Sequence, residues 1–313
     1  MICRVFILDR YARKQIDLEP DRPSPSPLEP DDRELWGKMG GSDDPLALPE
    51  ALPGWHRVLV VDRSETSQFD TLHRLLAEGF SPPGPVACFA LEGREFHGHR
   101  GRSWTALRGN IHLSVAFCPP EFPARDALAF VVLPAVATVD AVRAVTGRRI
   151  VPKIKWVNDL MLDDAKVAGV LTATASQADL LTHAVVGVGL NVESTPHIPP
   201  TPFVPAVTSL AKRGAKLRHQ DLIRPLLGAI LSRYEELLRN GPAGLIDAYR
   251  TAADVVGRKV VIYPEGIDDQ TPVDTWPEPI ARGRVEAIRD DLSLLLEGRS
   301  EPIARGRLTL GDI

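Results

Sequence analysis

KWVNDLMLDDAKVAGVL, running from Lys155 to Leu171, holds two apolar segments of β character joined by the acidic turn Asp163-Asp164. Lys155, Asn158 and Asp159 stand at the edge of the first segment, and Lys166 on the second. A hairpin closed at the two aspartates carries Lys155 and Lys166 toward one face. Two ammonium groups with an amide and a carboxylate between them suit a nucleotide phosphate and its Mg²⁺. The plainer reading is a solvated hairpin whose Asn-Asp pair caps a turn, the commonest work of that dipeptide.

Outward from the hairpin, HGHRGRSW (His97 to Trp104) leads into the alternating strand pattern GNIHLSVAF (Gly109 to Phe117). GVGLNV (Gly187 to Val192) follows the hairpin. Its paired glycines either let a ligand lie close or mark a bulge. His97 and His99 have no third ligand nearby, so a metal site is a poor reading of them. In this order and at these intervals the segments resemble the catalytic domain of the biotin–protein ligases, within the biotin/lipoate ligase superfamily. The resemblance runs from about Leu59 to Val192 and more faintly to the C-terminus.

The resemblance implies an ATP-dependent enzyme that activates biotin as its acyl-adenylate. The acyl group then passes to a lysine of a biotin carboxyl-carrier domain. Activation is needed because a carboxylate has a poor leaving group. The enzyme must bring two anions together and neutralise charge on the phosphorus oxygens. The family pattern then gives catalytic roles to Lys166, Arg102 and Lys155. Trp104, Asn158, Asp159 and Asn191 join these three as adenylate contacts, with Mg²⁺ on Asp159 directly or through water or phosphate. On the biotin side it implies Thr66, Ser67, Gly93, His97, Gly98, His99, Lys166, Gly169, Gly187 and Gly189.

The chain departs from the pattern in places. His97 and His99 replace two arginines of G-R-G-R-x-G-R-x-W, and Phe96 replaces a glycine. Histidine is largely neutral near pH 7, so a looser hold on the adenylate is expected. Val157 stands where the family has proline, Arg94 where a glutamine reads the biotin ring, and Glu65 inside a Ser-Thr-Asn/Ser element. Ser64 to Gln68 also reads as a helix N-cap. Lipoate ligases show R-R-x-S-G-G-G, which is absent. The alternatives are a ligase or acyltransferase for lipoate, octanoate or another small acid, and a non-catalytic acid-binding sensor.

The 313 residues hold one large or two modest domains. Hydrophobic content of 44% and charged content of 25% are those of a globular protein. A net charge of −4 leaves no footprint for nucleic acid or an anionic membrane, and no basic DNA-binding segment opens the sequence. No apolar run approaches the roughly 20 residues of a membrane span. Cys3, Cys88 and Cys118 lack metal spacing and fit a reducing cytoplasm, the expected location.

The expected fold is α+β: a mixed β-sheet catalytic domain with packed helices, then a small C-terminal β-barrel. Residues 1–55 read as an irregular extension, 56–252 as the catalytic domain and 253–313 as the barrel. Ile2 to Ile7 reads as a short strand. Five prolines between Pro20 and Pro30 argue against regular structure up to Glu50, so residues 1–49 are expected to be dispensable for adenylate formation. Strands are expected at 57–62, 86–91, 110–117, 154–162, 166–174 and 183–191, and helices at 68–79, 127–146, 220–239 and 245–251. Short strands are expected near 259–263, 281–288, 293–297 and 303–310. An exposed strand edge leaves room for a homodimer.

Overall fold

The computed structural model describes residues 3–7, 30–41, 46–50, 52–267 and 271–311. Strands β1 (Cys3–Ile7), β2 (Leu46–Glu50), β3 (Arg57–Ser64), β4 (Val86–Gly93), β5 (Ile111–Phe117), β6 (Lys153–Lys155), β7 (Asp159–Leu162), β8 (Ala165–Gln177) and β9 (Leu180–Leu190) form one sheet. Their order is β2-β1-β3-β4-β5-β9-β8-β7-β6. The ladders β1–β3 and β3–β4 are parallel and the others antiparallel, so the sheet is mixed. Helices are α1 (Pro30–Lys38), α2 (Gln68–Ala77), α3 (Ala129–Val145), α4 (Gln220–Asn240) and α5 (Ala243–Ala252).

Side chains alternate along a strand, so Phe117 and Ser114 of β5 face opposite ways. Phe117 packs on Phe130 of α3 and Tyr234 of α4. Ser114 pairs with Gly187 of β9, and a Cβ on Gly187 would lie 3.3 Å from Phe69 of α2. Helices α3 and α4 therefore cover one face, and α2 begins on the other.

Pro134 does not interrupt α3. A proline at this point leaves the carbonyl four residues earlier without its helical donor. That carbonyl belongs to Phe130, and it accepts the Thr172 hydroxyl at 3.0 Å.

The stretch expected as one strand over 154–162 is two. β6 and β7 fold back on each other around Trp156-Val157-Asn158, pairing Lys155 with Asp159. The Trp156–Val157 peptide is cis. Asp163 and Asp164 then turn β7 into β8 with φ of 47° and 62°. Two central residues at positive φ make the tight primed hairpin turn, and aspartate tolerates that conformation better than most.

The N-terminal segment departs most from expectation. Residues 30–38 are helical, and Leu35, Trp36 and Met39 lie in the main core, Trp36 at 2% exposure. The guanidinium of Arg57 on β3 bonds Asp32 at 2.6 Å. β2 also falls within the stretch read as irregular. The prolines that argued against structure lie mostly in residues 8–29, outside the described residues.

Strands β10 (Lys259–Tyr263), β11 (Ala281–Ile288), β12 (Leu294–Leu296) and β13 (Arg307–Leu310) make a second, antiparallel sheet in the order β12-β11-β10-β13. This small sheet stands where the barrel was expected. Trp156 Nε1–H donates to the Leu292 carbonyl at 2.7 Å, and Arg258 pairs with Asp164 at 2.8 Å. The hairpin is thus tied to the second sheet from two sides. Among the described residues no helix is long and apolar enough to cross a membrane.

Candidate functional site

One register line runs across five strands: Lys155, Asp159, Gly169, Gly189 and His112, on β6, β7, β8, β9 and β5. Charged groups stand at one end, two glycines in the middle and a histidine at the other. Lys166 joins them through a bulge. Strict alternation would turn Lys166 and Gly169 to opposite faces. The β7–β8 register slips after Leu160, so Met161 pairs with Lys166 while Leu160 pairs with Ala168. One extra residue on the bulged strand reverses the parity. The Lys166 Cε consequently sits 3.3 Å from where a Cβ on Gly169 would be.

A cavity of about 650 Å³ lies over this line. Lys166 Nζ contacts Asp159 Oδ1 at 2.5 Å. Burial pushes the Asp159 carboxyl up, but Lys166 and Lys155 outweigh it and hold the group below its ordinary range. Lys155 is 4% exposed, and its ammonium donates to the Phe203 carbonyl at 2.5 Å. Burial, set against the pull of Asp159, brings Lys155 down to about 8. Arg102 and Arg307 line the same end. The guanidinium of Arg307 lies 3.7 Å from the Phe203 ring centre, and the ring stacks on Trp276. Cations gathered in a partly dry cleft suit a polyanion.

The loop from Phe96 to Trp104 closes on itself. Trp104 N donates to Phe96 O at 2.8 Å, and Gly98 N to Arg102 O at 2.7 Å. Arg102 Nε bonds the His99 carbonyl at 3.0 Å. Two contacts pin the loop: His97 Nε2 to Asp70 of α2 at 2.7 Å, and Arg100 to Glu265 in the turn after β10. The other ring nitrogen of His97 faces the Gly98 carbonyl at 3.0 Å. Two acceptors on one imidazole favour the doubly protonated ring. Burial pulls His97 down, but Gly98 and Asp70 outweigh it, and the net shift is upward. His99 moves the other way, lowered by burial and by the Arg102 charge. The two histidines, read alike from sequence, are thus shifted in opposite directions, His97 toward its cation and His99 toward the neutral ring.

Trp104 is half-buried and lines the cavity. Its ring lies against the glycines: a Cβ on Gly189 would be 2.4 Å from the indole, and one on Gly169 3.6 Å. Ser67, Gly98 and Gly187 also line the cavity. Ser67 precedes α2 as the residue before its first turn without a side-chain capping bond, which leaves its hydroxyl to the cavity.

Other expected residues sit differently. Thr66 is exposed, and neither it nor Gly93 lines the cavity. Gly93 is bare because the Phe96 ring fills the space, 2.1 Å from where a Cβ would be. Arg94 turns outward, with Glu65 at 3.6 Å. Asn158 and Asn191 line the cavity, yet their amides brace strands. Asn158 Nδ2 donates to Val170 O at 2.9 Å, and Asn191 Nδ2 to Thr208 O at 3.1 Å. Mg²⁺ on Asp159 would take its remaining ligands from water or phosphate. Among the described residues no three His, Cys, Asp or Glu side chains gather to hold a metal, and Asp159 is engaged by Lys166.

His112 and Ser114 were not singled out from sequence, and both line the cavity. Their signal was two polar residues at alternate positions in the apolar strand IHLSVAF. Phe203 and Arg307 carried none, because they are distant in sequence from every motif.

Fold and cavity together define a mixed α+β domain whose cavity gathers cations beside an aromatic and glycine-lined wall. Residues 71–191 match the Biotin/lipoate A/B protein ligase family. Over 224 residues the chain is 30% identical to the biotin–[acetyl-CoA-carboxylase] ligase of Mycobacterium tuberculosis, covering 69% of this chain and 78% of that protein. Over 208 residues it is 28% identical to the bifunctional ligase/repressor BirA of Bacillus subtilis. That match covers 66% of this chain and only 62% of the relative. The fold is similar to that of the biotin protein ligase from Aquifex aeolicus in complex with biotin and ATP, with a TM-score of 0.61 at 19% identity. It covers 81% of this chain and 98% of that one. The chain belongs to the biotin/lipoate protein ligase family.

Proposed function

We propose that the chain is an ATP-dependent biotin–protein ligase that forms biotinyl-AMP and transfers biotin to a lysine of a carboxylase carrier domain. The observation that carries this reading is the single cavity with Lys155, Lys166, Arg102 and Arg307 at one end and Ser67, Phe69 and Gly187 about two strand residues, roughly 7 Å, further along β9. An acid lying along β9 would bring its carboxylate to the cationic end, where an α-phosphate can meet it. The carboxylate oxygen attacks α-phosphorus, and the bond to the bridging oxygen of pyrophosphate breaks. Lys166 faces both anions, and Arg102 and Lys155 offset the charge on the phosphoryl oxygens. Magnesium would arrive with the nucleotide as part of the substrate.

In the second step the neutral amine of the acceptor lysine attacks the acyl carbon and AMP leaves. Asp159 suits the role of base poorly, because Lys166 holds it ionised at low proton affinity. Its work is to orient Lys166. A reaction fed by ATP and carrier protein belongs in the cytoplasm.

Arg94 turned outward and the Phe96 ring over Gly93 leave the acid end without the polar side chain that the family pattern puts there. They favour a second reading, a ligase for lipoate or octanoate, which has no ureido ring to recognise. Pyrophosphate release measured with biotin, lipoate, octanoate or no acid separates the two. Release with biotin alone supports the first, release with the fatty acids alone the second. No release with any acid would leave a binding protein.

A further inference from the structure

The register line ends on a residue that no motif includes. His112 is 3% exposed, on β5 opposite Gly189. Its Nε2 contacts the Leu107 carbonyl at 3.0 Å, and Trp104 Nε1–H points at its Nδ1 at 3.2 Å. An indole can only donate, so Nδ1 must accept and the proton must sit on Nε2, donating to Leu107. The ring is a neutral imidazole in one tautomer. Its surroundings agree, since burial pushes it down to about 4. Phe96 and Trp104 both meet it edge-on, with ring centres 5.9 and 6.5 Å away.

The glycines give Trp104 a trough but no direction. Nothing in two bare backbone positions distinguishes the indole from its flipped rotamer. The bond to His112 does: it fixes Nε1 toward β5 and leaves the six-membered ring beside Gly169, next to Lys166. The indole then stands as a side wall of the cavity, over Gly189 and Gly169 and beside Lys166.

We infer that His112 is a positioning residue that sets the Trp104 indole as the wall along which the acid reaches the nucleotide half of the cavity, so that binding of the acid depends on a buried neutral histidine. This rests on the proposed function for the identity of the two halves, though not for the placement of the indole. With the Nδ1 acceptor gone, one hydrogen bond of about 1 kcal/mol no longer holds the wall, and the acid KM should rise about fivefold with kcat little changed.

The test uses the full chain labelled with ¹⁵N-tryptophan, whose five indole N–H signals are resolved and Trp104 assigned through Trp104→Phe. His112→Phe keeps the ring but has no acceptor. His112→Asn places an amide oxygen where Nδ1 was. Without substrate, His112→Phe should shift the Trp104 signal and speed its exchange with water, the other four staying put, and His112→Asn should restore both. A Trp104 signal that keeps its position and protection in His112→Phe overturns the inference. Should His112→Phe disturb all five signals, His112→Asn decides alone: a protected Trp104 signal supports the inference, and a lost one overturns it. With substrate, the fivefold rise in acid KM must appear in His112→Phe and recede in His112→Asn. An unchanged KM beside a displaced indole would also sink it. If no acid supports pyrophosphate release, the proposed function fails, while the substrate-free spectra still decide where His112 holds the indole.

Discussion

The two ends of the cavity are built in different ways. Much of the cationic end comes from one continuous stretch, Lys153 to Gly169, where a three-strand meander brings Lys155, Asp159 and Lys166 together. The acid end is assembled from Ser67 before α2, Phe96 in a loop, Ser114 on β5 and Gly187 on β9. Local hairpins specify themselves through turn chemistry and register, whereas scattered walls depend on the packing of everything behind them. The first end should therefore fail when a single charge is removed. The second should fail when distant support is removed.

Lys166→Ala gives the largest expected effect. It removes the cation that faces both anions and leaves Asp159 without the ammonium 2.5 Å away. The loss in kcat/KM for pyrophosphate release should be on the order of 10²- to 10³-fold, roughly 3–4 kcal/mol, with the fold intact by circular dichroism. A loss of only a few fold would remove Lys166 from the chemistry and break the contrast.

Support of the acid end is tested at Trp36. Its helix α1 packs into the core, Gln68 Nε2 donates to Met39 O at 3.4 Å, and a Cβ on Gly40 would meet Ser64 Oγ at 3.3 Å. Helix α1 thus backs the turn that presents Ser67. Trp36→Ala should lower unfolding free energy by about 3 kcal/mol, and the acid KM should rise before the ATP KM does. Urea denaturation and steady-state kinetics read the two effects. Undiminished adenylate formation after deletion of residues 1–49 would show that this segment does not support the acid end.

That segment also shows where the sequence stopped being informative. In the hairpin, local signals agreed: β-forming apolar residues, an Asp-Asp turn and lysines at the edges all pointed one way. Even there the bulge that turns Lys166 toward Gly169 could not be read, because Val167 looks like any strand residue. Near the N-terminus, Pro23, Pro25 and Pro27 masked the apolar pair Leu35-Trp36 and Met39, which have helical spacing. The glycines were read as room for a ligand. Gly189 and Gly93 instead make room for this chain's own Trp104 and Phe96, a contact between segments 85 and 3 residues apart that spacing alone cannot announce.

A smaller effect sits on Lys155. Burial brings it down to about 8, so in the unliganded protein its charge fades as pH rises through that value. ATP affinity should weaken above pH 8 in the native chain and stay level in Lys155→Arg, whose guanidinium remains charged. Titration calorimetry at pH 7 and 9 reads the difference. A native affinity that is independent of pH would mean that Lys155 does not meet the nucleotide.

The smallest effect separates the two histidines of the loop. His97 is raised by Gly98 and Asp70 acting against burial, whereas His99 is lowered by burial and Arg102. For His97 the folded-state value lies above the unfolded one. Its pairing with Asp70 is complete below the ordinary histidine value of about 6.5 and is lost as pH rises through the raised value. The loop should therefore exchange its amides faster at pH 9 than at pH 6. The pair is partly exposed, so the change is about 0.5 kcal/mol, a factor of two or so. Asp70→Asn should remove the pH dependence. His99 is shifted the other way and has less charge to give up over this range. Arginine at His99 should thus slow release of an acyl-adenylate at pH 7.5, while arginine at His97, whose ring is already shifted toward its cation, should slow it less. Equal slowing by both substitutions would show that Asp70 does not hold His97 charged, and the two ends of this loop would then be alike.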